Sequence, residues 1–195
     1  MVPRGSRTNR KTEVRGPAAK SRPMTTALLV VDIQRALADY LDPARRVGFL
    51  GTVAALLERA RRANVPVVYV RQNDDELRAG TKEWEIAEEI APRPGEPIID
   101  KRYRDAFRET NLADVLTRLA SDHVVVCGMQ TEFCIDATIR EAERRGYRVT
   151  LVEDAHATYP VEGATEGQIR AQIHRVARGS VAAIVPAGEV FDPAR

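Results

Sequence analysis

Redox and metal chemistry have little to work with in this sequence: its 195 residues contain two cysteines and three histidines. Cys127 and Cys134 stand seven apart, a spacing that matches neither a CxxC redox pair nor a zinc framework. His123, His156 and His174 are scattered and unpaired along the chain, and no histidine falls between 33 and 122. Neither a metal site, nor a Cys–His dyad, nor any cofactor is expected. Long apolar runs are missing as well. The run Ala27-Leu28-Leu29-Val30-Val31 suits a buried strand and falls far short of the roughly 18–20 residues that span a membrane. Residues 1–23 are polar and lack the apolar stretch of a signal peptide, so no membrane association is expected and the cytoplasm is the expected compartment. The turn Asp32-Ile33-Gln34-Arg35-Ala36 holds no glycine, which removes the close pyrophosphate approach of a dinucleotide-binding GxGxxG loop.

The net charge of +2 hides an asymmetry. Residues 1–23 carry seven basic side chains against Glu13, a net of +6, which leaves residues 24–195 at −4. Val2-Pro3-Arg4-Gly5-Ser6 reads as a protease-site scar, and the basic stretch reads as a disordered tail with no nucleic-acid role. Residues 24–195 then form one domain, long enough to bury a sizeable core. Lysine is scarce. Only Lys11, Lys20, Lys82 and Lys101 occur among 30 basic residues, so a lysine in the folded body stands out.

From Met24 onward, strand-like and helix-like segments alternate. Apolar strands are expected at 27–32, 65–70, 97–100, 123–127, 147–152 and 180–185. Helical periodicity marks 47–63, 111–119, 131–145 and 168–177. A long polar connection at 71–97 contains a short helix candidate at 81–90. Continuous apolar strands separated by helices predict a three-layer α/β/α domain around a six-stranded parallel sheet. Such sheets bind ligands beyond the carboxyl ends of their strands. The polar residues there are Asp32 and Gln34, then Arg71, Gln72 and Asn73, then Lys101, Arg102 and Tyr103, and lastly the segment from Gly128 to Cys134.

One cleft at that edge can hold Asp32, Lys101 and Cys134. A thiol near a helix start is favoured as thiolate by the unpaired N–H groups there, and an adjacent ammonium lowers its pKa further. Asp32 could hold the ammonium and act as general base, while backbone N–H groups of the 130–134 turn face a developing oxyanion. Each residue also has a plainer reading. Cys134 could be a buried helix cysteine, Asp32 a helix cap, Lys101 a solvated lysine and Trp84 a packed aromatic. Cys127, inside Val124-Val125-Val126-Cys127, reads as a core thiol.

Three segments carry a resemblance: Val31-Asp32-Ile33-Gln34, Asp100-Lys101-Arg102-Tyr103-Arg104-Asp105-Ala106-Phe107, and Gly128-Met129-Gln130-Thr131-Glu132-Phe133-Cys134-Ile135-Asp136-Ala137-Thr138. Together with Glu153-Asp154-Ala155-His156-Ala157-Thr158 they resemble the signature segments of the isochorismatase-like cysteine hydrolases. The resemblance implies a Rossmann-like six-stranded sheet, an Asp32–Lys101–Cys134 triad, a cis peptide at Met129–Gln130, and oxyanion donors on the Gln130 and Cys134 N–H groups. It further implies a metal-independent enzyme that cleaves a C–N amide or lactam bond of a small molecule through an acyl-enzyme. Gln34, Gln72, Asn73, Trp84, Tyr103, Phe107 and Phe133 are the expected pocket residues. The nicotinamidase branch carries an Asp–His–His metal cluster after its second strand. Here that segment reads Arg71-Gln72-Asn73-Asp74-Asp75, so the resemblance points away from nicotinamidase and closest to the streptothricin-hydrolase branch. Asp74, Asp75, Glu76, Glu83 and Glu85 make this connection acidic and suit a cationic substrate. Isochorismatase-type vinyl-ether hydrolysis and a non-catalytic small-molecule binder remain alternatives. Homo-oligomers are common in the family and are expected here.

Overall fold

The computed structural model describes residues 25–178 and 183–191; the basic tail and part of the sixth expected strand lie outside the described residues. Six strands, β1 (Thr25–Val31), β2 (Val67–Gln72), β3 (Ile98–Lys101), β4 (Ser121–Met129), β5 (Arg148–Ala157) and β6 (Ala183–Val185), form one sheet. The order is β3-β2-β1-β4-β5-β6, with every pairing parallel. Successive side chains of a strand point to opposite faces, and β1 shows the result. Leu28 and Val30 enter one core with Phe49, Leu50, Val53, Leu56 and Leu57 of α2 (Pro43–Arg62). Ala27, Leu29 and Val31 enter the other, with residues of α3 (Leu112–Arg118), α4 (Asp136–Arg144) and α5 (Glu166–Arg178). Burial on both faces explains why the strands read as unbroken apolar runs. The layered α/β architecture is the one expected from the sequence.

Two local signals place α2 earlier than apolar periodicity alone suggests. Asp42 caps it, accepting the N–H groups of Ala44 at 3.0 Å and Arg45 at 3.4 Å, and Pro43 occupies the first helical turn. A short helix, α1 (Arg35–Asp39), also follows β1 where only a turn was expected.

Residues 81–90 correct the expectation of a helix. Only Glu88–Ile90 makes a single 3-10 turn, and the rest runs alongside the start of α1. The N–H of Arg35 donates to Glu85 O at 2.8 Å, that of Ala36 to Glu83 O at 3.1 Å, and that of Ala87 to Ile33 O at 3.0 Å. The first N–H groups of a helix have no partner within it, and here the long connection supplies carbonyls to two of them. That long-range demand outweighs local helix propensity.

Gly128 sets the approach of β4 to β1. Its φ is +133°, and a Cβ there would lie 2.0 Å from the carbonyl oxygen of Val31. Only glycine lets the backbone lie this close, just where β1 gives way to Asp32 and β4 turns towards Cys134.

Candidate active site

Asp32 follows β1 with φ 52°, a left-handed conformation that aspartate tolerates better than most residues. Its backbone N–H donates to Val70 O at 2.9 Å, so its carboxyl group turns inward instead of capping α1. Lys101 ends β3, two strands away, and reaches over β2, where it is in register with Gln72. Its ammonium, with a side chain 0% exposed, lies 2.7 Å from Asp32 Oδ2, whose side chain is 1% exposed. It also donates to Gln72 Oε1 and to Cys134 Sγ, the latter at 3.4 Å. Three ammonium protons therefore meet three acceptors from three different strands or turns. The solvated-lysine and helix-cap readings do not describe this arrangement.

Cys134 sits in a single π turn, Thr131–Ile135, that precedes α4, where an uninterrupted helix from 131 was expected. Gln130 O accepts the N–H groups of Phe133 at 3.1 Å and Ile135 at 3.2 Å. The intervening Cys134 N–H is not directed to that carbonyl. The peptide between Met129 and Gln130 is cis.

The electrostatics reverse one expectation. Burial pushes the Cys134 thiol up to about 12, the negative charge of Asp32 adds to the rise, and Lys101 only partly opposes it. Burial also raises Asp32 against the pull of Lys101. Lys101 loses hydration but is held above its ordinary value by Asp32 and then Cys134. Burial and the Asp32 carboxylate thus oppose ionisation of the Cys134 thiol, and Lys101 favours it. Cys127 is a fully buried core thiol, 3.6 Å from Leu29 O, and burial raises it to about 12.

Cys134 opens into a cleft of about 390 Å³ whose lining includes Asp32, Gln72, Asp74, Arg102, Arg104 and Phe133. A neighbouring recess of about 450 Å³ shares Asp74 and Arg102 with it and includes Asn73 and Asp75. Of the seven pocket residues expected from sequence, Gln72 and Phe133 line the cleft and Asn73 lines the outer recess. The other four are elsewhere. Gln34, 0% exposed, is a latch: its Nε2 donates to Gln72 O and Trp84 O, both at 2.9 Å, and its Oε1 accepts Gln72 N–H at 2.8 Å. Trp84 packs under the Arg71 guanidinium, 3.6 Å from its ring centre. Tyr103 lies under Arg108, and Phe107 is a core residue stacked on Tyr147.

Sequence reasoning passed over Arg104, whose guanidinium lies 4.2 Å from the centre of the Phe133 ring, and the apolar walls Leu37 and Leu77; Met129, expected for its cis peptide, also lines the cleft. Arg102 was noted only as a residue after β3. The signal was available for both arginines, since they directly follow the strand end that carries Lys101. The acidic connection also divides: Asp74 and Glu76 reach the cleft, whereas Glu85 lines a different recess beside Arg35 and Ile98. Asp74 is occupied, accepting Gln72 Nε2 and the N–H groups of Glu76 and Leu77.

The histidines are not all unpaired. His156 Nε2 lies 2.8 Å from His174 Nε2, and its Nδ1 lies 2.9 Å from Thr131 Oγ1. Among the described residues, no three His, Cys, Asp or Glu side chains are grouped to hold a metal ion, and no helix is long and apolar enough to cross a membrane.

Residues 26–179 match the isochorismatase domain model. The chain belongs to the isochorismatase family. This family member is 42% identical over 154 residues to a streptothricin hydrolase of Streptomyces noursei, covering 75% of the chain but only 60% of that relative's length. It is 31% identical over 174 residues to nicotinamidase 3 of Arabidopsis thaliana, covering 80% of the chain and 84% of the relative. Among solved structures it is similar to N-carbamoylsarcosine amidase of Thermoplasma acidophilum, with a TM-score of 0.73 and 28% identity over 86% of this chain and 97% of that one.

Proposed function

We propose that this protein is a metal-independent cysteine hydrolase that cleaves a C–N amide or lactam bond in a small polar molecule. The observation that carries the reading is the buried Lys101 ammonium seated between Asp32 and Cys134, both of which line the cleft. The resting thiol requires a base at the moment of attack, and Asp32, raised by burial, is suited to that task. In the proposed cycle Asp32 takes the Cys134 proton as Sγ attacks the substrate carbonyl. The oxyanion is received by the N–H groups of Gln130 and Cys134. Collapse of the tetrahedral adduct returns the proton to the departing nitrogen and leaves a thioester on Cys134. Water, deprotonated by Asp32, then attacks this thioester; the acid is released and Asp32 returns the proton to the departing Cys134 sulfur. Lys101 keeps Asp32 ionised and offsets negative charge as it moves from carboxylate to sulfur.

The named activities of the streptothricin hydrolase, the nicotinamidase and the amidase support a C–N bond over a vinyl ether. The segment Arg71-Gln72-Asn73-Asp74-Asp75 has no histidine, which supports a site that works without a metal. Asp74 and Glu76 share the cleft with Arg102 and Arg104, so we propose a substrate carrying both charges in place of a purely cationic one. The test is mass spectrometry of wild type and Cys134→Ala incubated with primary amides, N-carbamoyl compounds, lactams including streptothricin, and isochorismate. Products that together gain one water, as a ring-opened acid from a lactam or an acid and ammonia from a primary amide, support the reading when formed by wild type alone. Equal hydrolysis by Cys134→Ala overturns it, and turnover of isochorismate alone would transfer the assignment to ether cleavage.

A further inference from the structure

Thr131 immediately follows Gln130 and begins the π turn that carries Cys134. Its side chain faces away from the cleft and is 0% exposed, and the ring it meets, His156, is 1% exposed. His156 is brought there by the sheet, since β5 pairs Gly128 with His156 and Met129 with Ala157. His174 arrives from α5, with the two ring centres 5.0 Å apart and the planes at 70°. Two imidazoles that meet nitrogen to nitrogen at 2.8 Å need one proton between them, so one ring donates and the other accepts. That choice fixes which nitrogen of His156 carries hydrogen and hence what it presents to Thr131. The chain Thr131–His156–His174 thus joins α5 to the residue that follows one proposed oxyanion donor and begins the turn carrying the other. None of these three side chains lines the cleft, so none has a role in the chemistry described above.

We propose that His156 is a positioning residue for the hydrolysis, holding the Gln130–Cys134 turn through Thr131 while His174 sets its tautomer. The proposal rests on the hydrolase reading. Burial supports it, because it holds both rings below the ordinary histidine value and so favours the neutral pair. A neutral pair can share the single proton; a doubly protonated pair would set two N–H groups against each other. A shift of the turn by even one ångström moves the donors off the oxyanion, which costs on the order of a hundredfold in rate.

The experiment compares Thr131→Val, His156→Leu, His156→Asn, His174→Leu and His174→Gln. It reads kcat and KM on whichever substrate passes the Cys134→Ala control, and amide hydrogen exchange of residues 130–136. Expected are a fall in kcat of about ten- to a hundredfold in Thr131→Val and His156→Leu with KM unchanged, and a smaller fall in His174→Leu. His156→Asn and His174→Gln, which keep a polar group at the bonded position, should retain most of the activity. The Thr131→Val/His156→Leu double variant should be no slower than the slower single, as for residues acting through one contact. Exchange should accelerate at 130–136 and not in β1 or β2. Unchanged kcat in folded Thr131→Val and His174→Leu, or unchanged exchange at 130–136, overturns the proposal. Faster exchange at 130–136 in a protein whose wild type hydrolyses nothing would overturn the hydrolase reading, and the positioning role with it, while leaving the turn contact established.

Discussion

Removing the charge of Lys101 while keeping its length, as Lys101→Met, should damage stability more than almost any other single change. The ammonium is fully buried against a carboxylate that is itself 1% exposed, so the variant leaves Asp32 ionised with no counter-ion, or forces it to take a proton. Breaking a buried pair from one side costs about 3–5 kcal/mol. In a chain of this size that corresponds to a fall of roughly 6–20 °C in melting temperature, at about 2–4 °C per kcal/mol. Removing both charges, as Asp32→Leu/Lys101→Met, should recover most of the loss, because neither partner is then stranded and the desolvation cost disappears. The sign with pH follows. In Lys101→Met the folded state raises the pKa of Asp32 above its unfolded value near 3.9, so the folded state binds the extra proton. The deficit is therefore smallest at acid pH and grows as pH rises through the folded pKa. Urea titrations followed by far-ultraviolet circular dichroism at pH 5 and pH 8 would measure all of this. A Lys101→Met protein within about 1 kcal/mol of wild type at pH 8, or a double variant as unstable as the two singles summed, would refute the reasoning.

Other expectations are more local. Gly128→Ala, whose Cβ would meet Val31 O at 2.0 Å, should cost at least about 4 kcal/mol or prevent folding. Gly48→Ala, on an open face of α2 with nothing within 4 Å, should stabilise by about 0.5–1 kcal/mol; thermal melts of the pair would decide. Burial lowers His156 to about 3 against about 6.5 unfolded. Its contribution is complete above pH 6.5 and is lost as pH falls towards 3, about 2 kcal/mol by pH 5. Equal acid sensitivity of a folded His156→Asn protein would count against this. Because the Cys134 thiol is raised, its alkylation by iodoacetamide in substrate-free protein should still be accelerating above pH 9. A rate that levels off below pH 7 would instead indicate a standing thiolate.

What could be read from the chain depended on how local its cause was. The strands are continuous apolar runs because both faces of the sheet are covered, so β1, β2 and β4 were legible, and with them the edge where Asp32 and Cys134 lie. Lys101 was legible because lysine is scarce in the folded body, because it follows the third expected strand, and because the resemblance places it in a triad. Residues 81–90 were misread because their periodicity is helical, while their carbonyls are claimed by Arg35 and Ala36 some fifty positions earlier. Gln34 was taken for a pocket residue for the same reason: its partners, Gln72 and Trp84, are remote in sequence. The pairing of His156 with His174 depends on how α5 packs against the end of β5, and spacing carries no record of that. The direction of the Cys134 pKa was missed because the dipole and the ammonium were counted, while dehydration was not.

The reach of Lys101 across β2 makes the site a proofreader of its own sheet. Side chains alternate faces along a strand, so sliding β3 by one position against β2 would withdraw Lys101 and turn Asp100 or Arg102 towards Asp32. Chemistry that needs Asp32, Lys101 and Cys134 together can begin only after β1 to β4 have paired in one register. For this protein, the onset of activity during refolding would time the last of those pairings.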